Sequence, residues 1–168
     1  TTHTNNAPQA ITRLTDMGIE PYLLAAALKG VLAQRLVRLN CPQCLESYLP
    51  SELVLSRAGL LGDASSIDFR KGVGCKQCKG TGLAGLTGVF ELVEITPAIA
   101  EMIMKTASPR AIREAAAKTG YVPLFEAGLQ KVKDGTICLE ELLAETSNVH
   151  DDYLETVVPC VNAHAGTV

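Results

Sequence analysis

Tryptophan is absent from this chain, and aromatic residues make up only 4% of it. The core must therefore rest on Leu, Val, Ile and Ala. A nucleic-acid surface would have few rings to stack on. There is also no secretory leader and no apolar run long enough to span a membrane. Nothing therefore points to an oxidising compartment where disulfides would persist. Basic residues are missing from one end. Residues 134–168 hold 7 acids and no Lys or Arg, a charge of −7. Residues 1–133 hold all 15 Lys and Arg against 11 acids, a charge of +4. An initiating Met is lacking as well, and the opening Thr1-Thr2-His3-Thr4-Asn5-Asn6 reads as the cut end of a longer protein.

What is present begins with 168 residues, 47% of them hydrophobic, enough for one folded domain or two small ones. The chain is organised around two cysteine pairs, Cys41-Pro42-Gln43-Cys44 and Cys75-Lys76-Gln77-Cys78, with 30 residues between them. Each CxxC turns two thiolates toward one point, and two such turns complete a tetrahedral site. Four sulfur ligands select zinc, at about 2.3 Å per bond, and leave no open position for a substrate. Two disulfides, a redox pair or an all-sulfur iron site are the alternatives. A redox pair leaves the second CxxC unexplained, and spacing alone does not separate iron from zinc. Cys41, Cys44, Cys75 and Cys78 are read as ligands of a structural zinc ion. Arg70, Lys71, Lys76 and Lys79 read as the solvated rim of that module.

Around it the pattern is regular. Asn6 suits an N-cap and Pro8 a first turn, with Ala10, Ile11, Leu14 and Met17 on one helical face and Gly18 as the stop. Pro21 opens a second helix through Tyr22, Leu23, Leu24, Ala27 and Leu28. From Val31 to Leu39 the period becomes two, and Val89 to Ile95 repeats it. These two strands are expected to pair antiparallel, with the cysteine module inserted at their tip, where an insertion is cheapest. Inside the module Ser51 caps a short helix from Glu52 to about Leu60. The stretch Gly80 to Gly85 matches GxGxxG, but a cysteine knuckle precedes it and a strand follows it, so the dinucleotide reading is rejected. It also fits the CxxCxGxG repeat of DnaJ-type chaperones, although the Cys41 pair lacks the matching glycines. The last third reads as four short helices. They comprise Thr96-Pro97 with Ile99, Met102 and Ile103; Ser108-Pro109 with Ile112, Ala115 and Ala116; Pro123 to Lys133; and a segment through Leu139, Leu142 and Leu143. Together they suggest a small bundle. After residue 146 the periodicity is lost. His150, Asp151, Asp152, Cys160 and His164 are better read as part of a flexible acidic tail than as a metal site.

In order, these motifs resemble the secretion and type IV pilus assembly ATPases. The resemblance rests on His3-Thr4-Asn5-Asn6-Ala7 with Ile11 to Leu14 and Asp16-Met17-Gly18, then on Ala33 to Arg38, the two cysteine pairs and Thr87 to Leu92. Gly120, Leu124, Gly128-Leu129, Lys131, Gly135 and Glu140-Glu141 continue it, so it covers roughly residues 1–146. It implies an α/β fold. Residues 1–40 would end a RecA-like ATPase core, 41–86 would be an inserted tetracysteine zinc module, 87–146 a returning strand and helical C-terminal bundle, and 147–168 an acidic tail.

The resemblance further implies a cytoplasmic hexameric motor that uses ATP and Mg2+ to push pilin-like subunits from the inner membrane. Its partners would be cytoplasmic regions of inner-membrane secretion or pilus assembly proteins, with no role for nucleic acid. The zinc arm marks the type II secretion and pilus-extension branches. His3 matches the family histidine near the nucleotide phosphates, and Arg13 and Arg35 match family arginines. The chain has no GxxxxGK followed by Ser or Thr, so by itself it is expected neither to bind ATP tightly nor to hydrolyse it. Three positions depart from the family pattern: Asn6 in place of Asp, Leu86 in place of Arg, and Cys138 in place of a capping Ser or Thr. The competing reading is a free-standing zinc-ribbon module that binds nucleic acid or unfolded protein.

Overall fold

The computed structural model describes Thr4, residues 6–62 and residues 64–146. Helix α1 (Ala7–Asp16) starts where Asn6 accepts a hydrogen bond from the Gln9 N–H at 2.9 Å, and it stops at Gly18, whose φ of 89° no β-carbon opposes. Helix α2 (Pro21–Ala27) follows. Strand β1 (Gly30–Asn40) then runs antiparallel to β4 (Leu83–Glu94), with Val31 opposite Val93 and Asn40 opposite Leu83. Between them lie the 3₁₀ turn Pro42–Cys44, the three-residue pair β2 (Leu45–Ser47) and β3 (Arg70–Gly72), and helix α3 (Glu52–Arg57). Helices α4 (Pro97–Met104), α5 (Pro109–Ala117), α6 (Leu124–Lys133) and α7 (residues 139–146) complete the described chain.

The expected alternation is realised. Val31, Ala33, Arg35 and Val37 turn inward on β1, while Leu32, Gln34, Leu36 and Arg38 turn out. Strand β4 begins at Leu83 rather than Val89, because Gly88 stays in the ladder opposite Leu36 and pairing resumes at Leu83 opposite Asn40 after a bulge that contains Gly85. Helix α3 ends at Arg57, well before Leu60, in a turn where Gly59 has φ 68°. Met17, Tyr22 and Leu23, expected on buried stripes, are 68%, 60% and 49% exposed. The helix of seven residues that carries the latter two buries only Leu24.

The four C-terminal helices do not form one bundle. The inward face of the hairpin is long enough to seat two separate cores. One joins α1, α2, α4 and α5 through Ala7, Ile11, Leu24, Val93, Ile99, Ile103, Ile112 and Ala116. The other joins α6 and α7 to the cysteine module, with Leu124, Phe125, Val132, Leu139 and Leu142 packed against Val37, Leu55, Ala58, Phe69 and Val89. The outward face of the hairpin is apolar as well, with Leu32, Leu36, Leu86, Phe90 and Leu92 each about half exposed or more.

Candidate metal centre

The two knuckles are brought together by short-range geometry. Cys41 directly follows β1, and its N–H donates to the Gly82 carbonyl at 2.8 Å, which ties the first knuckle to the segment leaving the second. The 3₁₀ turn then folds Cys44 back toward Cys41. The β2–β3 pair continues as Val73 N–H to the Cys44 carbonyl, 2.9 Å, and so lays the second knuckle alongside the first. The chain between Gly72 and Gly82 requires glycine. A β-carbon on Gly72 would lie 2.0 Å from the Gly82 carbonyl oxygen, and Gly74, Gly80 and Gly82 all have positive φ. The glycines that imitate GxGxxG serve this close backbone approach, and strand β4 follows them where a nucleotide fold would place a helix.

All four sulfurs lie within 4.8 Å of one another. Cys41–Cys75 and Cys44–Cys78 are each 3.9 Å apart, and Cys75–Cys78 3.7 Å. These separations are far too long for S–S bonds, and the cysteines are free thiols. A tetrahedron with ligands about 2.3 Å from its centre has edges of about 3.8 Å, so the cage fits a zinc-sized ion. The donor set is soft and complete, and it leaves no coordination position for chemistry on a substrate.

Backbone amides prepare the sulfurs for the ion. Cys78 accepts from Cys75 N–H at 3.1 Å and Gly82 N–H at 3.2 Å, which draws its thiol down to about 6 against the opposing effect of burial. Cys44 accepts one such bond, from Gly74 N–H at 3.3 Å; burial dominates there and raises it to about 12. Cys78 is thus the ligand already disposed to be a thiolate, and Cys44 is the one that surrenders its proton only to a cation.

Side chains outside the cage tie it to the rest of the molecule. Asn40, one residue before Cys41, donates to the Gly135 carbonyl at 2.9 Å and the Arg70 carbonyl at 3.1 Å, while its own N–H reaches Thr136 O at 2.9 Å. Tyr48 donates to Glu140, which also lies 3.6 Å from Lys71, and Lys71 sits 5.6 Å above the Tyr48 ring. Arg70 pairs with Asp68 at 2.8 Å. All four residues of the expected solvated rim are exposed, and Arg70 and Lys71 join this network as well. Asn40 and Tyr48 gave no signal in the sequence beyond their nearness to the cysteines.

The remaining predicted positions are scattered. His3 lies outside the described residues, as do His150, Asp151, Asp152, Cys160 and His164. Asn6 is buried at the start of α1, and Arg35 donates to the Thr4 carbonyl at 3.1 Å. Arg13 is exposed on α1. Leu86 is exposed, opposite Arg38. Cys138 stands buried directly before α7, and burial raises its thiol. Glu91 was visible only as an acid on an otherwise apolar alternation, Val89–Glu91–Val93. It proves to be fully enclosed.

A helix-flanked hairpin with a four-cysteine cage at its tip defines a metal-stapled α/β unit with no nucleotide-binding loop among the described residues. The sequence profile of the Type II/IV secretion system protein family matches residues 1–144, and the chain belongs to that family. It is 43% identical over 147 residues to the type IV pilus assembly ATPase PilB of Thermus thermophilus, covering 87% of this chain and 16% of that protein. It is 40% identical over 148 residues to the type II secretion system protein E of Pseudomonas aeruginosa, and 38% identical over 148 residues to the type II secretion system ATPase E of Vibrio cholerae. Each of these matches covers 87% of this chain and 29% of the relative. The chain therefore spans less than a third of the length of these relatives. No described helix is long and apolar enough to cross a membrane.

Proposed function

We propose that the chain is the zinc-bearing C-terminal part of a cytoplasmic hexameric ATPase that powers type II secretion or type IV pilus assembly. The observation that carries this reading is the four-sulfur cage, with tetrahedral edges of 3.7–3.9 Å, in a chain whose relatives are secretion and pilus assembly ATPases. Residues 1–40 close a RecA-like core, the module around residues 41–86 is the zinc arm, and residues 87–146 return to the core. Zinc acts as a staple, because a site of four thiolates forms only when folding brings both knuckles together. ATP and Mg2+ belong to the longer protein, since this sequence has no phosphate-cradling loop.

The apolar outward face of the hairpin supports the same reading. A two-stranded sheet with large apolar residues on both faces is the middle layer of something larger. The partners are cytoplasmic regions of inner-membrane secretion or pilus proteins, and other subunits of the hexamer. Sequencing the gene upstream of the Thr1 codon tests the proposal. An open reading frame with a GxxxxGK loop and an acidic Walker B strand supports it. A start codon at that point contradicts it. The purified chain is expected to show no Mg-dependent ATP turnover above a Cys75→Ser control.

A further inference from the structure

The two cores meet on the hairpin at a polar seam. On β4, Val89 faces the cysteine-side core and Val93 the other, and Glu91 lies between them, 2% exposed. Its carboxylate takes three donors. Ala7 N–H binds Oε1, while the Tyr121 hydroxyl at 2.9 Å and Leu124 N–H at 2.8 Å bind Oε2. Ala7 is the first residue of α1 and Leu124 the first of α6. One side chain therefore satisfies an orphan amide at two helix N-termini, where the helix dipoles also favour its charge. Pro123, at the cap position of α6, supplies no side-chain acceptor, so Glu91 stands in for the missing cap. Burial and the same carboxylate hold the Tyr121 phenol well above its ordinary range, so it remains a donor. On the neighbouring strand, Arg35 holds the other end of the same segment through Thr4 O at 3.1 Å.

We propose that Glu91 is a coupling residue: through its carboxylate, the α5–α6 connection sets the position of Asn6 and Ala7 at the start of α1. A buried carboxylate is costly unless its lone pairs are met, so losing a donor on one oxygen shifts the group and its remaining bonds together. Ala7 belongs to one core and Leu124 to the other, so the cores share this group in addition to the strands. In the reading proposed above, residues 4–7 follow the family histidine at His3, and Glu91 and Arg35 are then positioning residues for that end of the site. This last step rests on the ATPase reading; the coupling does not.

The test is amide hydrogen exchange, followed by NMR, on the whole zinc-loaded chain. Tyr121→Phe keeps the ring and removes one donor. It is expected to speed exchange at Ala7 about tenfold, the size of one hydrogen bond to a charged group, with Leu139 unchanged. Glu91→Gln is expected to raise exchange at both Ala7 and Leu124, and Tyr121→Phe is expected to add nothing in that background. Unchanged Ala7 exchange in Tyr121→Phe, or additive effects in the double variant, overturns the proposal. If Glu91→Gln does not fold, the single Tyr121→Phe measurement decides. ATP turnover by the longer protein tests the motor reading independently, and either result there leaves the coupling result intact.

Discussion

The two cores of this protein are held by different means. In the core around α1, α2, α4 and α5, three of the four helices carry a side-chain cap of their own: Asn6 on Gln9 N–H, Thr96 on Ile99 N–H and Ser108 on Ala111 N–H. Apolar stripes on these helices then meet over the inward face of the hairpin, α1 against α5 and α2 against α4. Among the described residues, the cysteine-side core has two strands of three residues, a six-residue helix and two 3₁₀ turns within the module. It joins them to helices up to about a hundred residues away in sequence, through Asn40 to Gly135, Tyr48 to Glu140, and Arg38 to Glu141 at 2.7 and 2.8 Å. Where regular structure is too short to hold itself, long-range polar ties and a metal cage take over. On the reading proposed above, the comparison teaches that zinc is a requirement of one half of the molecule and not of the other.

Removing the metal should break the symmetry most strongly. Structural zinc sites bind with apparent free energies on the order of 10 kcal/mol, more than a small core can lose and stay ordered. Chelation is expected to abolish amide protection across residues 41–85 and in α6 and α7, while α1, α4 and α5 keep most of theirs. Equal loss in both halves would show a single cooperative unit instead. The next effect is a cavity in each core. Leu142→Ala and Ile112→Ala should each cost about 2–5 kcal/mol in chemical denaturation of the zinc-loaded chain. After chelation only the Ile112→Ala cost should survive. A smaller effect is expected from Asn40→Ala, about 1–3 kcal/mol, since it leaves the buried Gly135 carbonyl without its partner. Its signature is faster exchange in α7 as well as in the first knuckle. Smallest of all, Ser108→Ala removes one cap and should lower the melting free energy by about 1 kcal/mol without touching zinc affinity.

This division also explains what could be read from the sequence. Asn6, Thr96-Pro97, Ser108-Pro109 and Gly18 are local signals, and the helices they mark stand where they were expected. The alternation of β1 was equally legible, because one face had to be buried for the hairpin to exist. The four cysteines were legible because their chemistry admits few other arrangements. What was hidden depends on contacts distant in sequence. Nothing near Leu139 or Leu142 says that they pack on Phe69 and Leu55, and nothing near Asn40 announces Gly135. The expectation of one four-helix bundle failed for that reason: periodicity shows which face of a helix is apolar, not which neighbour covers it. Glu91 was hidden because an acid inside a strand ordinarily marks the solvent face, and only the three donors around it show otherwise.

The most direct measurement is the metal content of the purified chain beside that of Cys75→Ser, by elemental analysis under reducing conditions. The account predicts one zinc per chain in the native protein and less than a tenth of that in the variant, with the lost ordering confined to the cysteine-side core. A native chain that folds fully with no zinc, or a variant that retains a full equivalent, would contradict it.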